Sequence, residues 1–269
     1  MTSTTPPPDG ADARAPAVRL ERVPGAVRAV LARPERQNGI SAELLRGLHR
    51  ALDETESDPE RPALLVEGSD GVFCTGMDFA DAGDGSRDTG ETGGAEFWRL
   101  LERFTTTPAV VVSLVDGKAI GGGVGIVAAS DFVWATPRSS FGLPEALWGL
   151  LPCCVLPFLI RRVGFQPAYA MTLSTLPVSA DEAVRSRLVD EVAEYPEAAL
   201  RRLLLRLRRI DTDTVESLKR YVRPMSPIGT ERGSAAVAEF VRLFTSTAVA
   251  ERIEEYNRTG RFPWERSET

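Results

Sequence analysis

Three adjacent glycines, Gly121, Gly122 and Gly123, stand in "DGKAIGGGVGIVAASD" between a β-prone run and the apolar residues Val124, Ile126, Val127, Ala128 and Ala129 of a predicted helix. Glycine weakens helices, so a row of them at a helix start needs a compensating use. A helix start leaves backbone N–H groups without partners and its dipole favours negative charge, so the segment reads as an anion cradle. It lacks the Lys-Ser/Thr ending of a P-loop, and "GGGVG" departs from the dinucleotide fingerprint. The other reading is a tight turn in which glycine only permits close packing. A second glycine turn, Gly76 in "GVFCTGMDFA", lies one strand-loop-helix-strand unit earlier. Two such turns face to face would converge two N–H groups, the arrangement that stabilises an enolate or tetrahedral oxyanion derived from a thioester carbonyl.

Side-chain chemistry is sparse. His49, the only histidine, falls beside Leu48 and Leu52 on a predicted helix far in sequence from both turns, which argues against a Ser/His/Asp hydrolase. Cys74, Cys153 and Cys154 offer neither a disulfide framework nor metal-ligand spacing, and each is expected to be a reduced, small core residue. No metal and no cofactor are expected. Glu145, after Pro144 in "LPEALWG", reads by itself as an ordinary helix start. Asp78 can either stabilise its own turn or act on a substrate.

The elements that position these residues follow from composition and periodicity. A chain of 269 residues with 43% hydrophobic residues can bury one large core. No apolar run is long enough to span a membrane, and "MTSTTPPPDGADARAP" has neither the basic start nor the apolar middle of a signal peptide. Residues 1–16 are therefore expected to be a disordered tail, and the location cytoplasmic. A net charge of -6 argues against bulk nucleic-acid binding.

"VRLERV" and "AVRAVLA" read as a hairpin around Pro24 and Gly25, and Ser41 can cap a helix carrying Leu44, Leu45, Leu48 and Leu52. "ALLVEG", "AVVVSLV" and "FVWAT" read as strands, "AEFWRLLERF" as a helix, and Ala82 to Gly94 as a glycine-rich acidic loop. Ser179 and Glu182 make a capping box. From Pro196 the chain is mainly helical: Leu200, Leu203, Leu204 and Leu207 form an apolar stripe, and Arg201, Arg202, Arg206, Arg208 and Arg209 lie largely off it. That basic stripe reads as a solvated face or as an attraction for an acidic partner. The pattern predicts an α/β core over residues 17–195 and a helical carboxy-terminal region over 196–269.

Taken together, "RPERQNGIS", "FCTGMDF", "DGKAIGGGVGIVAASD", "SSFGLPEALWGLLP" and "SADEAVRSRLVDEV" resemble, in order, the crotonase or enoyl-CoA hydratase/isomerase superfamily. The resemblance implies a ββα spiral core with a helical carboxy-terminal subdomain that covers the pocket and forms trimers, often paired into hexamers. It implies an oxyanion hole made by the backbone N–H groups of Met77 and Gly122, with Gly121 and Gly123 beside the substrate and a β-carbon at the triplet obstructing its approach. The family's hydratases carry two glutamates. Here the first position is Gly125, and the second is Glu145, which the resemblance makes the proton-transfer residue, with Asp78 as a possible second acid or base. Asp131 falls at a structural position.

A narrower resemblance, in "GVFCTGMDF" and "PEALWGLLPCCVLPFLIRRVG", is to the dehydratases of polyketide β-branching, which act on acyl carrier protein thioesters of the 3-hydroxy-3-methylglutaryl type. The alternatives are an enoyl-CoA isomerase or hydratase of acyl-CoA metabolism, and a non-catalytic scaffold with the crotonase fold. Glu145 and the two turns speak against the scaffold.

Overall fold

The computed structural model describes residues 16–78, 87–226, 228–262 and 265. The tail expected over residues 1–16 lies almost wholly outside them. Strands β1 (Val18–Val23) and β2 (Ala26–Leu31) pair antiparallel, turning at Gly25, where φ is +81°. Helix α1 (Ala42–Glu56) follows, capped as expected by the Ser41 hydroxyl, which accepts from Leu44 N–H.

The chain then repeats a simple unit, a strand in one sheet, a short strand in a second sheet, and a helix. The first unit is β3 (Ala63–Glu67), β4 (Val72–Cys74) and α2 (Arg87–Thr106); the second is β5 (Val110–Val115), β6 (Lys118–Ile120) and α3 (Gly122–Ala129). The third is β7 (Phe132–Ala135), β8 (Ser140–Gly142) and α4 (Glu145–Trp148), continued by α5 (Leu156–Val163) and α6 (Phe165–Ser174). Strand β9 (Val178–Ser179), helix α7 (Ala180–Arg185) and strand β10 (Glu191–Val192) complete the core. Ser179 and Glu182 form the expected capping box on α7.

The first sheet has the order β1-β2-β3-β5-β7-β10, parallel from β2 onward, and the second has the order β4-β6-β8-β9. Because β4, β6 and β8 are neighbours and parallel, their carboxyl ends lie side by side. The turns after them begin the segments that hold Met77, Gly122 and Glu145, so the topology alone assembles the candidate site.

Alternation along the first sheet separates two cores. Leu64, Val66, Val111 and Val133 face α1, α2 and α3. Ala63, Leu65, Val110, Val112 and Trp134 face the other way, against Leu200, Leu204 and Leu207 of α8 (Glu197–Leu207) and Val215 of α9 (Thr212–Val222). The exposed Arg201, Arg202 and Arg206 of α8, and Arg208 and Arg209 just after it, therefore stand on the side of the sheet away from α3. Lys219 ties α9 down: its buried ammonium donates to Phe104 O, Ala109 O and Asp131 Oδ2, the last at 2.7 Å. Asp131 also accepts from Val111 N–H, so its role here is structural.

Two expectations change. Ala82 to Gly94 is not wholly a loop, because α2 already begins at Arg87; residues 79–86 lie outside the described residues. Buried Trp98, Leu101 and Phe104 dock α2, and packing overrides its glycines. Gly94 even serves that packing: a β-carbon there would lie 3.0 Å from Phe240 on α10 (Thr230–Phe244). The other change concerns Gly123, whose β-carbon would lie 2.2 Å from Cys74 O. Close approach of α3 to β4, rather than of a substrate, requires that glycine.

The carboxyl end of α3 is held by two guanidiniums. Arg161 donates to Ala128 O, and Arg162 donates to Ser130 O at 3.0 Å and to Asp190 Oδ2 at 2.7 Å. Helix α11 (Thr247–Thr259) returns over α4. No described helix is long and apolar enough to cross a membrane.

Candidate active site

Met77 lies in a short parallel bridge with Ile40. Ile40 donates its N–H to Gly76 O at 2.7 Å and accepts from Asp78 N–H at 3.2 Å. Both Ile40 groups bond the neighbours of Met77, so the Met77 N–H projects from the opposite edge of its strand. Gly76, at φ +88°, makes the turn, and a β-carbon there would lie 3.3 Å from Gly122 N and 3.6 Å from Gly121 Cα. The two glycine turns do face each other.

Helix α3 begins at Gly122, whose N–H is among the unpaired donors of a first turn. Gly121 caps it at φ +56°, donating to Gly142 O and accepting from Val124 N–H. Only glycine is comfortable in that backbone conformation.

Glu145 stands on Gly121. A β-carbon at Gly121 would lie 3.1 Å from Glu145 Oε1. As a residue Glu145 is half-buried, yet its Oε2 is buried and finds no hydrogen-bond partner among the described residues. Burial raises the carboxyl to about 7, opposed by a hydrogen bond from its own backbone. A carboxyl near neutrality beside two backbone donors is equipped to take and return a proton next to a developing oxyanion.

The surroundings are apolar. A β-carbon at Gly125 would lie 3.0 Å from both Phe97 Cζ and Val155 Cγ2, and 3.2 Å from Leu101 Cδ1. The position that would hold a second glutamate is thus packed with hydrocarbon. At Gly122 the obstruction differs from the expected one: a β-carbon would strike Ile40 Cδ1 at 2.4 Å, so the side of Gly122 faces protein. Ile40 and Phe97 were not singled out in the sequence, where one precedes a helix cap and the other is one apolar residue in a periodic run. The Met77 side chain packs with Trp148, Leu150, Phe244 and Val249, which brings the carboxy-terminal helices over the first turn.

Asp78 forms an ion pair with Arg36 at 2.8 Å, and its side chain is only 11% exposed. This geometry favours the turn-stabilising role. Asp78→Asn is expected to lower the melting temperature by about 2–4 °C, the scale of about 1 kcal/mol in a chain of this size, and to reduce turnover less than about tenfold. A kinetic loss as large as that at Glu145, without destabilisation, would place Asp78 in the proton transfer.

The remaining candidates stand apart from this chemistry. His49 lies 3.4 Å from Arg103 Nη1 between α1 and α2, its pKa lowered by burial. Burial raises Cys74 and Cys154 to about 12, and burial with the nearby Glu239 raises Cys153 to about 11, opposite to an activated thiol. Among the described residues, no three His, Cys, Asp or Glu side chains cluster as metal ligands. A cavity of about 690 Å³ between α2 and α10 is lined by Trp98, Arg99, Val237, Val241 and Arg242, and by none of Met77, Gly122 and Glu145.

Comparison with known proteins gives a consistent pattern. The Enoyl-CoA hydratase/isomerase family profile matches residues 24–267. Bacillaene synthase dehydratase PksH of Bacillus subtilis is 35% identical over 235 residues, covering 87% of this chain and 90% of that protein. Its crystal structure superposes with a TM-score of 0.80 at 32% identity, over 92% of this chain and 99% of that one. Enoyl-CoA hydratase EchA19 of Mycobacterium tuberculosis is 31% identical over 180 residues, covering 64% of this chain and 66% of that protein. Mevalonyl-coenzyme A hydratase SidH of Aspergillus fumigatus is 32% identical over 170 residues, covering 62% of each.

Proposed function

The chain belongs to the enoyl-CoA hydratase/isomerase family, and from that premise we propose that it dehydrates a 3-hydroxy-3-methylglutaryl-type thioester on an acyl carrier protein in polyketide β-branching. The observation that carries this reading is the single buried carboxyl of Glu145 against Gly121, opposite a Gly125 position filled with hydrocarbon. Similarity to a bacillaene synthase dehydratase supports the polyketide setting. Similarity to a mevalonyl-coenzyme A hydratase supports an acyl group with methyl and hydroxyl on one β-carbon.

In the proposed reaction the thioester oxygen accepts from Met77 N–H and Gly122 N–H. Ionised Glu145 removes the α-proton, and the negative charge moves onto that oxygen as an enolate. The enolate then collapses to the α,β-double bond and expels the β-hydroxyl, which takes the proton back from Glu145 and departs as water. Glu145 ends ionised, and no second carboxylate is consumed.

The carboxy-terminal region 196–269 is assigned to pocket cover and assembly. Leu218, Tyr221 and Met225 are exposed along and just after α9, and Phe165, Tyr169 and Leu173 along α6, surfaces suited to the homotrimer or hexamer that the family resemblance implies. A cytoplasmic location is part of the same proposal.

The test is intact-mass analysis of a carrier protein loaded with 3-hydroxy-3-methylglutarate after incubation with the enzyme. Loss of one water is expected. An unchanged carrier together with rapid turnover of crotonyl-CoA would overturn the reading in favour of enoyl-CoA hydration, the activity named for EchA19.

A further inference from the structure

We propose that Phe97 determines acyl specificity at this site, its ring forming an apolar wall against the β-substituents of the bound thioester; the inference rests on the dehydration reading above. Gly122 and Gly125 are three residues apart on α3 and share a face. The tip of the Phe97 ring covers both: its Cζ lies 3.3 Å from a β-carbon built at Gly122 and 3.0 Å from one built at Gly125. Leu101, one turn further along α2, and Val155, just before α5, close the rest of the Gly125 position. Phe97 is 9% exposed, so the ring is held in place rather than free to swing.

A thioester whose oxygen accepts from Gly122 carries its α- and β-carbons one and two bonds from the carbonyl. The ring fills the α3 face between Gly122 and Gly125, so these carbons meet the outer side of the ring rather than the helix itself. A methyl branch on the β-carbon gains contact with the ring. A carboxylate or an ordered water gains nothing, because this wall offers no hydrogen-bonding group and desolvation is left uncompensated. The same ring therefore selects a branched acyl group and removes the second anchor for a nucleophilic water.

The experiment compares kcat/KM for dehydration of two pantetheine thioesters that differ only in the β-methyl, 3-hydroxy-3-methylglutaryl and unbranched 3-hydroxyglutaryl, in the wild type and in Phe97→Leu, Phe97→Ala and Val155→Ala. Phe97→Leu keeps most of the volume and shortens the tip, so it is the variant least disturbing to folding. The branched-to-unbranched ratio is expected to fall by about tenfold or more in Phe97→Leu, the scale of losing a methyl-sized contact in an apolar pocket, and further in Phe97→Ala. A smaller fall in Val155→Ala would support the same wall from its other side. A ratio unchanged in folded Phe97→Leu overturns the role given to Phe97; should that variant not fold, an unchanged ratio in Val155→Ala overturns the wall itself. Failure of the wild type to dehydrate either thioester is a different result and removes the dehydration reading instead.

Discussion

Glu145→Gln is expected to cut dehydration by at least about a hundredfold while making the protein more stable at pH 8. The kinetic part follows from losing the group proposed to take and return the proton, with the shape of the side chain kept. The stability part follows from burial, which raises the carboxyl from 4.5 to about 7 in the folded chain. Between those values the unfolded chain has released a proton that the folded chain still holds, so rising pH favours unfolding across that window. The resulting penalty is absent below the unfolded value and complete above about 7, where it amounts to about 3 kcal/mol. Glutamine carries no such penalty. Urea titrations at pH 8 and pH 5.5 should show the gap between variant and wild type shrinking at the lower pH. Unimpaired turnover would remove Glu145 from the proton transfer, and a gap independent of pH would remove burial as its cause. In the wild type, kcat/KM should rise with pH toward a plateau above about 7, because the ionised form begins the reaction.

Gly122→Ala is expected to lose about a hundredfold or more in turnover, and by a route different from blocking the substrate. The new methyl would lie 2.4 Å from Ile40 Cδ1 and 3.3 Å from Phe97 Cζ, so either these side chains or α3 must give way, and a shift of α3 carries the Gly122 N–H away from its aim. Ile40→Val deletes the offending methyl group. The double variant Gly122→Ala/Ile40→Val should therefore recover much of the lost activity and thermal stability. Restored stability without restored turnover would show that the glycine itself, rather than the position of α3, is what the donor needs.

These effects indicate which parts of the molecule could be read from the chain. The Ser41 cap, the Ser179 and Glu182 box and the Gly76 and Gly121 turns are visible because short-range backbone requirements fix them: a hydroxyl at a helix start, or a positive φ that glycine tolerates. The facing of the two turns was legible as a possibility and became geometry only through the parallel pairing of β4 with β6. The burial of Glu145 could not be read from its local sequence, since a Pro-Glu pair at a helix start usually faces water; the family resemblance pointed to an apolar pocket, and the contact of its carboxyl with the turn at Gly121 accords with that. Ile40 and Phe97 were hidden for the same reason. Their contacts with Gly122 and Gly125 join distant parts of the sequence, and nothing local distinguishes them from other core residues. The start of α2 was misread because composition spoke for a loop, whereas contact with α10 supplies what the local sequence lacks.

The two guanidiniums at the carboxyl end of α3 have a consequence for how the enzyme meets its medium. Arg162 is 8% exposed, and it and Arg161 bond the last carbonyls of the helix whose first N–H belongs to Gly122. Charges so enclosed are screened far less by dissolved ions than those on the surface, and the aligned peptides between them and Gly122 lie in the same protected interior. Salt can therefore reach the exposed arginines of α8 and the surface that gives the chain its charge of -6, but it hardly reaches the field at the proposed oxyanion donor. Ionic strength is thus expected to separate two stages of the proposed cycle: the encounter with a charged carrier should respond to it, and the chemical step on a bound thioester should change little between dilute buffer and concentrated salt.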